Sequence, residues 1–127
     1  MSLQKYQAAQ RATESPRSTE YRLFAQVTRA LMDYKEGPGP KRIEALDWNR
    51  HVWTVLLSDL ADSRNQLPSQ LKATLISLSI WVGKYTRKVM SGRAPLQPLI
   101  DVNRNVMEGL AAGARNALAQ PQNRNAA

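Results

Sequence analysis

The sequence predicts an all-α protein: a compact bundle of four main helices, with a short additional helix at the N-terminus and a flexible C-terminal tail. Two observations lead to this prediction. The apolar residues recur at the three- and four-residue spacing of amphipathic helices, and no segment shows the sustained alternation of a strand. Clusters of Gly, Pro or Asn at residues 37–40, 65–68 and 92–98 then divide the pattern into stretches of helical length.

The stretch ahead of the first break predicts two helices. Residues 2–12 are expected to form a short one, with Leu3 and Tyr6 on one side. The Ser-Pro pair at residues 15–16 is typical of an N-cap followed by proline at the first helical position, so the second helix is expected over residues 16–35. Its stripe positions are Tyr21, Phe24, Val27 or Thr28, and Leu31, all on a single side. One stripe is expected of an outer helix in a bundle.

The next two helices, expected over residues 40–62 and 68–90, each have two apolar stripes. In the first of them, one stripe holds Ile43, Leu46, Trp53, Leu57 and Leu60, and the other holds Trp48, Val52 and Val55. In the second, the main stripe holds Leu71, Leu75, Leu78, Val82, Tyr85 and Val89, and the weaker one holds Ala73, Ile76, Ile80 and Gly83. Because their connection is short, these helices are expected to form a central antiparallel hairpin with Trp53 in the core.

The last helix is expected over residues 98–110. Its apolar positions are Leu99, Val102 or Asn103, Val106 and Leu110. Beyond Gly113 only Leu118 is able to pack, so residues 113–127 are expected to form a frayed helix end and then a flexible tail. The single folded domain is therefore expected to span residues 1–112.

The composition limits the chemistry of the chain. With no Cys and a single His, the usual Cys/His zinc sites, thiol nucleophiles and CxxC redox chemistry are excluded. His51 has no evident catalytic partner in the sequence, and Asp59 and Asp62 are expected at a helix end, where Arg64 or Lys72 can pair with them. The Gly-Pro loop lacks the Lys-Ser/Thr of a phosphate-binding loop. We therefore expect a protein that is not an enzyme and uses no cofactor or metal.

The N-terminal residues do not resemble a signal peptide, because no apolar stretch follows Met1. The longest apolar run, residues 75–82, is far shorter than the ~20 residues that a membrane span needs. The sequence thus predicts a cytoplasmic protein that does not insert into a membrane.

Positive charge is concentrated in one segment of a chain whose net charge is +8. Residues 64–97 contain six basic residues and no acidic one. Lys84, Arg87 and Lys88 lie near a predicted helix C-terminus, where cations are favourable. Two acidic residues of the preceding helix, Glu44 and Asp47, are expected to face them. An acidic protein partner and RNA are the alternative explanations of this charge.

The second apolar stripes are candidates for a partner-binding site. A helix of a small bundle needs only one apolar face to fold, so the extra faces are either covered by other helices or form a groove for a partner helix. Trp81 lies nearby and belongs to a residue type that is enriched at binding hot spots. The candidate residues are Trp48, Val52, Val55, Ile76, Ile80 and Trp81.

Several short motifs, in a fixed order, resemble a known family. They are Asn49-Arg50 followed by Trp53, then Asn65-Gln66-Leu67-Pro68, Trp81-Val82-Gly83-Lys84-Tyr85, Asn103-Arg104 and Glu108-Gly109-Leu110, together with Tyr6 and Thr28-Arg29-Ala30-Leu31. Over residues 3–112 this combination resembles the FlaF family of flagellar biosynthesis regulators of alphaproteobacteria. The Gly-Pro loop and the Asn/Ala-rich tail depart from the family pattern.

The resemblance implies a small cytoplasmic helical protein that is required for flagellin production or export. Members of the family are thought to bind flagellin as a secretion chaperone and to act opposite FlbT, a post-transcriptional repressor of flagellin synthesis. Flagellin is accordingly the expected main partner. The alternative is a post-transcriptional regulator that acts through FlbT or binds flagellin mRNA directly, and direct RNA binding is the less expected of these.

Overall fold

The computed structural model describes residues 16–37 and 39–119 of the chain. They form four α-helices: α1 (Pro16–Asp33), α2 (Pro40–Ala61), α3 (Ser69–Met90) and α4 (Gln97–Ala119). No strand occurs among these residues, so the predicted all-α bundle of four main helices is confirmed. The helix predicted over residues 2–12 and the end of the predicted tail, residues 120–127, lie outside the described part of the chain.

Prolines mark the helix starts, as the sequence predicted. α1 begins at Pro16, α2 begins at Pro40, and Pro68 directly precedes the first residue of α3. A proline is well suited to these positions because the first helical N–H groups have no intrahelical acceptor and the ring fixes a helical φ.

α3 ends in a Schellman motif around Gly92. The N–H of Gly92 donates to the carbonyl of Val89 at 3.1 Å, and the N–H of Arg93 donates to the carbonyl of Lys88 at 2.9 Å. Gly92 has a φ of 76°, which a residue with a side chain adopts only at a cost. The glycine thus stops α3 and turns the chain toward α4.

α4 is longer than the sequence predicted, because it continues past Leu110 to Ala119. The added stretch is rich in alanine, the residue with the highest intrinsic helix propensity. The prediction rested on packing positions, which end at Leu110, and it underestimated this local preference.

The four helices are arranged in a ring in which one contact between neighbours, that of α3 with α4, is much smaller than the others. α1 packs against both α2 and α4, and α2 packs against both α1 and α3, whereas α3 and α4 have far less contact with each other. The predicted contact between α2 and α3 is confirmed. The prediction that α3 is as central as α2 is wrong, because only α2 packs closely against it.

A cavity of about 190 Å³ lies between α3 and α4. It is lined by Leu71, Thr74, Leu75 and Leu78 of α3 and by Asn105, Val106, Gly109 and Leu110 of α4. Farther along α3, the Tyr85 hydroxyl donates a hydrogen bond to the carbonyl of Pro95, in the loop that connects α3 to α4, at 2.7 Å. Burial raises the pKa of the Tyr85 hydroxyl.

The core consists of residues from all four helices. Its largest fully buried side chains include Phe24, Leu31, Leu46, Leu56, Leu96, Leu99, Ile100 and Leu110. Trp53 is 2% exposed, so its predicted place in the core is confirmed. On the same predicted stripe, however, Ile43 is exposed and Leu57 is only half-buried. The buried face of α2 is instead centred on Asn49, with buried residues three and four positions away on either side and another seven positions after it.

Candidate functional site

The structure places the six predicted partner-binding residues on different surfaces, and one of them in the core. Val52 is 4% exposed, so the prediction that it lines an open groove is wrong. It follows Asn49 by three residues and therefore falls within the buried face of α2. The other five are all exposed.

Trp48 and Val55 share one side of α2 because seven residues separate them, which is close to two helical turns. Arg50 and Thr54, which line the cavity toward α3, lie on a different side of the same helix. Trp48 and Val55 therefore do not belong to a surface formed jointly with α3. They form a separate exposed patch on α2.

A cavity of about 280 Å³ lies between α2 and α3, and we call it the α2–α3 groove. It is lined by Arg50, His51, Trp53, Thr54 and Leu57 of α2 and by Ser79, Val82 and Gly83 of α3. Ile76 and Ile80 precede Gly83 by seven and three residues and so lie on its side of α3. They are 43% and 58% exposed, and neither lines the cavity itself. Two of the six predicted residues thus lie exposed on the side of α3 that carries Gly83.

Trp81 lies on the other side of α3. Its ring stacks on that of Tyr85, with the centroids 4.7 Å apart and the planes 17° from parallel. Since Tyr85 in turn bonds to the loop before α4, this aromatic pair belongs to the edge between α3 and α4. Trp81 is therefore not a neighbour of Ile76 and Ile80 across the groove.

Gly83 makes one end of the α2–α3 groove unusually open. A Cβ added at this position would meet no atom within 4 Å. A glycine in a helix interior costs about 1 kcal/mol of stability relative to alanine. Packing within the described part of the chain therefore gives no steric reason for a glycine here, whereas the φ of Gly92 does.

The exposed cations of α3 lie beyond Gly83, toward the C-terminal end of the helix. The sequence predicts that Glu44 and Asp47 face these cations, but among the described residues Lys84, Arg87 and Lys88 form no ion pair with either acid. Asp47 is held within its own helix. Arg50 Nη2 lies 3.0 Å from Asp47 Oδ1, and His51 Nδ1 lies 2.9 Å from the Asp47 carbonyl oxygen.

A buried polar network connects three helices behind the groove. Trp53 Nε1 donates to Asn103 Oδ1 at 3.0 Å. Asn103 Nδ2 donates to Asn49 Oδ1 at 2.8 Å and to Thr28 Oγ1 at 3.2 Å. The Phe24 ring packs edge-on against Trp53, with the centroids 5.3 Å apart. The three hydrogen bonds of Asn103 thus connect α4 to both α1 and α2.

The network contains residues from three of the motifs that resemble the FlaF family: Thr28, Asn49 with Trp53, and Asn103. All four are buried, so these motif positions hold the bundle together and are not available to a partner. The apolar pattern alone does not predict Asn49 as a core residue, and it leaves Asn103 as one of two alternatives with Val102. The available signal was spacing, since each asparagine falls at a core position between buried apolar residues.

The structure also limits what the groove can do chemically. Within residues 16–37 and 39–119, no three His, Asp or Glu side chains are placed so that they could hold a metal ion. In the same part of the chain, no helix combines the length and the apolar character that crossing a bilayer requires. The features beside the α2–α3 groove are the exposed side chains of Ile76 and Ile80, the open helix surface at Gly83 and the nearby cations of α3.

Comparison with known proteins identifies the family. The family model described as flagellar protein FlaF matches residues 2–110, which include α1, α2, α3 and the packed part of α4. No curated protein and no solved structure matches the chain. The matched range contains the whole polar network and every residue that lines the α2–α3 groove. The chain therefore belongs to the FlaF family of flagellar proteins.

Proposed function

We propose that this protein is a non-enzymatic flagellum biogenesis factor, which binds flagellin in the cytoplasm as a secretion chaperone and promotes its synthesis and export. The observation that supports this function best is the α2–α3 groove, where apolar side chains stay exposed beside an open cavity. Flagellin subunits polymerise through long amphipathic terminal helices. A protein that covers such a helix keeps the subunit from assembling before export, and a groove between two helices is a common way to hold one.

The exposed isoleucines supply the apolar contact in this proposal. Complete burial of an isoleucine side chain contributes roughly 1.5–3 kcal/mol. Ile76 and Ile80 are each about half exposed. Covering them therefore contributes about 1 kcal/mol each toward binding. Flagellin helices that are free in solution have an apolar face to cover as well.

The second candidate function is post-transcriptional regulation, through FlbT or through direct binding of flagellin mRNA. It is favoured by the exposed cations Lys84, Arg87 and Lys88 at the end of α3. Binding to RNA depends on phosphate contacts and weakens by orders of magnitude as salt rises. An apolar groove that holds a flagellin helix is much less sensitive to salt, so ionic strength separates the two functions.

The test is co-elution on a sizing column. The purified protein is mixed with monomeric flagellin and, separately, with FlbT and with flagellin transcript, at low salt and at raised salt. We expect a complex with flagellin that persists at raised salt. A complex with FlbT alone, or with flagellin transcript alone, would contradict the chaperone function and support the regulatory one.

Ile80→Asp tests the location of the site. Because Ile80 is 58% exposed, a charge there should change stability by less than about 0.5 kcal/mol. It should nevertheless weaken flagellin binding at least tenfold, since the carboxylate stays solvated only if the partner is displaced. Val55→Asp is the matched control on the separate patch of α2 and should bind like the unaltered protein. Equal binding by both variants would place the flagellin site elsewhere.

A further inference from the structure

We infer that the segment held in the α2–α3 groove is an acidic amphipathic helix of about three turns, bound in one direction, with a small residue over Gly83 and carboxylates against Lys84 and Arg87. This inference rests on the proposed function, since it describes the part of flagellin that the groove would take. It adds the chemistry, the length and the orientation of the bound helix.

The groove has two chemically different ends. Ile76 and Ile80 precede Gly83 on the same side of α3 and are exposed. Gly83 and Arg87 continue the same side of α3 at helical spacing. From Ile76 to Arg87 the rise along the helix is about 16 Å, which corresponds to three turns of a partner helix lying alongside. An occupant must therefore be apolar at one end and complementary to cations at the other.

The cationic end lacks acidic partners within the described part of the chain. The ion pairs between described residues include Arg29–Asp33, Lys35–Glu36, Arg50–Asp47, His51–Asp47 and Arg64–Asp62. None of them involves Lys84, Arg87 or Lys88. Exposed ion pairs contribute little affinity individually, but complementary charges speed association and fix orientation. The isoleucines therefore supply the affinity, and the cations supply the direction in which the helix binds.

Gly83 sets how closely the occupant approaches. A small residue at a helix contact lets two helix backbones come nearer than side chains otherwise allow, and the site where a Cβ would point is open. A methyl group there would fill the space that the partner backbone uses. The same methyl group favours the helix itself, because alanine has a higher helix propensity than glycine. Stability and binding should thus respond in opposite directions to Gly83→Ala.

The lining of the groove favours a protein helix over RNA. Proteins that bind single-stranded nucleic acid stack its bases on exposed aromatic rings beside the cations. Among the described residues that line this groove, Trp53 is the only Trp, Tyr or Phe, and it is buried. The imidazole of His51 also lines the groove, with Nδ1 2.9 Å from the Asp47 carbonyl oxygen of its own helix. Trp81 and Tyr85 stack on each other at the far side of α3. The cations beside Gly83 are accompanied by isoleucines, which suit an amphipathic helix.

The experiment measures flagellin affinity and melting temperature for Gly83→Ala and Arg87→Glu, each with a matched control. Gly109→Ala is the control for the first variant, since Gly109 is also helical, lines the cavity between α3 and α4, and has open space at its Cβ. Arg104→Glu is the control for the second variant, because it makes the same change of charge at an exposed position of α4. The probes are purified monomeric flagellin and, separately, flagellin transcript.

Both glycine variants should melt about 2–6 °C higher than the unaltered protein. Only Gly83→Ala should lose flagellin affinity, by at least tenfold. Arg87→Glu should bind flagellin about three- to tenfold more weakly, with a smaller salt dependence, while Arg104→Glu binds normally. Replacing acidic residues of the bound flagellin helix by their amides should reproduce the effect of Arg87→Glu and add nothing to it.

The outcomes separate the inference from the proposed function. If the unaltered protein does not bind flagellin, the proposed function fails and the inference fails with it. If it binds, and Gly83→Ala and Arg87→Glu bind equally well, only the inference is overturned. A loss confined to flagellin transcript, with flagellin affinity unchanged in both variants, would assign the cations to RNA and also overturn it.

Discussion

At the scale of single residues, the amide of Asn103 is the most fully used polar group in the described core. Its oxygen accepts from Trp53, and its nitrogen donates to Asn49 and Thr28. Both amide hydrogens and the oxygen therefore have partners on other helices. Because these groups are buried, a partner that loses its hydrogen bond to Asn103 cannot form one with water instead.

Asn103→Leu should therefore lower the free energy of unfolding by about 3 kcal/mol, since it leaves several buried polar groups without partners. Asn105→Leu is the control, because Asn105 is exposed on the same helix. It should change stability by less than about 0.5 kcal/mol. Urea denaturation of the three proteins measures both effects, and equal midpoints would show that the network does not stabilise the fold.

Val52 provides a second test at this scale. Val52→Asp puts a charge into the core, so we expect a loss of about 3 kcal/mol or more, enough to unfold much of a small domain. Val55→Asp, three residues later and half exposed, should fold normally. Far-ultraviolet circular dichroism and thermal melting distinguish them. A folded Val52→Asp protein would mean that this side of α2 is open to solvent.

The apolar residues were predicted better than the polar ones, for a physical reason. Helical spacing correctly placed Trp53 in the core, since a large apolar side chain gains free energy there wherever its neighbours lie. The burial of Asn49 depends on finding Asn103 and Thr28, which are 54 and 21 residues away. Spacing along one helix contains no information about such partners, so the sequence did not identify the network.

At the scale of elements, glycines at different positions in the helices differ in the reason for lacking a side chain. Gly92 ends α3 with a positive φ, whereas Gly83 and Gly109 have ordinary helical backbone and open space at the Cβ. The same substitution should therefore have opposite effects on stability. Gly92→Ala should lower the free energy of unfolding by about 1–2 kcal/mol, and Gly109→Ala should raise it by up to about 1 kcal/mol. Thermal melting of the two variants tests this, and shifts of the same sign would contradict it.

The end of α2 should respond to acid through Asp62. Hydrogen bonds from the Arg64 side chain and backbone hold the pKa of this carboxyl well below its usual range. A lowered folded-state pKa means that the ionised form stabilises the fold above the unfolded pKa and that this contribution is lost as pH falls through the folded one. The melting temperature of the unaltered protein should exceed that of Asp62→Asn by a small margin at pH 7. The difference should shrink in strong acid, and a constant difference would argue against the pair.

At the scale of the whole molecule, α3 is attached less firmly than the other three helices. The polar network joins α1, α2 and α4, and it has no member in α3. In α3 only Leu75, Val82, Thr86 and Val89 are buried, and three of these lie in its second half. The first half of α3 should therefore open locally more often than the rest of the bundle.

Hydrogen exchange tests this expectation. Backbone amides of residues 73–80 should exchange faster than those in the middle of α2, at a pH where the protein is folded. Flagellin bound in the α2–α3 groove should slow exchange in this part of α3 selectively. Uniform protection of α2 and α3 in the free protein would show that the bundle opens as a single unit.

The number of helices and the neighbouring positions of α2 and α3 could be predicted, because periodicity and a short connection determine them locally. The peripheral position of α3 could not. Two apolar stripes are compatible with a central helix or with a helix that keeps one stripe exposed, and only the arrangement of all four helices decides between them. For the same reason the spacing could place Ile76 and Ile80 on one face of α3, but it could not show that Trp48, Val55 and Trp81 lie on other surfaces.

The three tryptophans lie in different environments, so their fluorescence reports on different parts of the molecule. Trp53 is enclosed and hydrogen-bonded, Trp48 faces solvent on α2, and Trp81 lies flat against Tyr85 on α3. A collisional quencher such as iodide reaches the exposed indoles and not the enclosed one, so quenching and emission wavelength report on different events. Emission from Trp53 follows unfolding, whereas emission from Trp81 follows displacement of the ring beneath it. The chain therefore contains its own fluorescent reporters of unfolding and of changes at the edge between α3 and α4, with no label added.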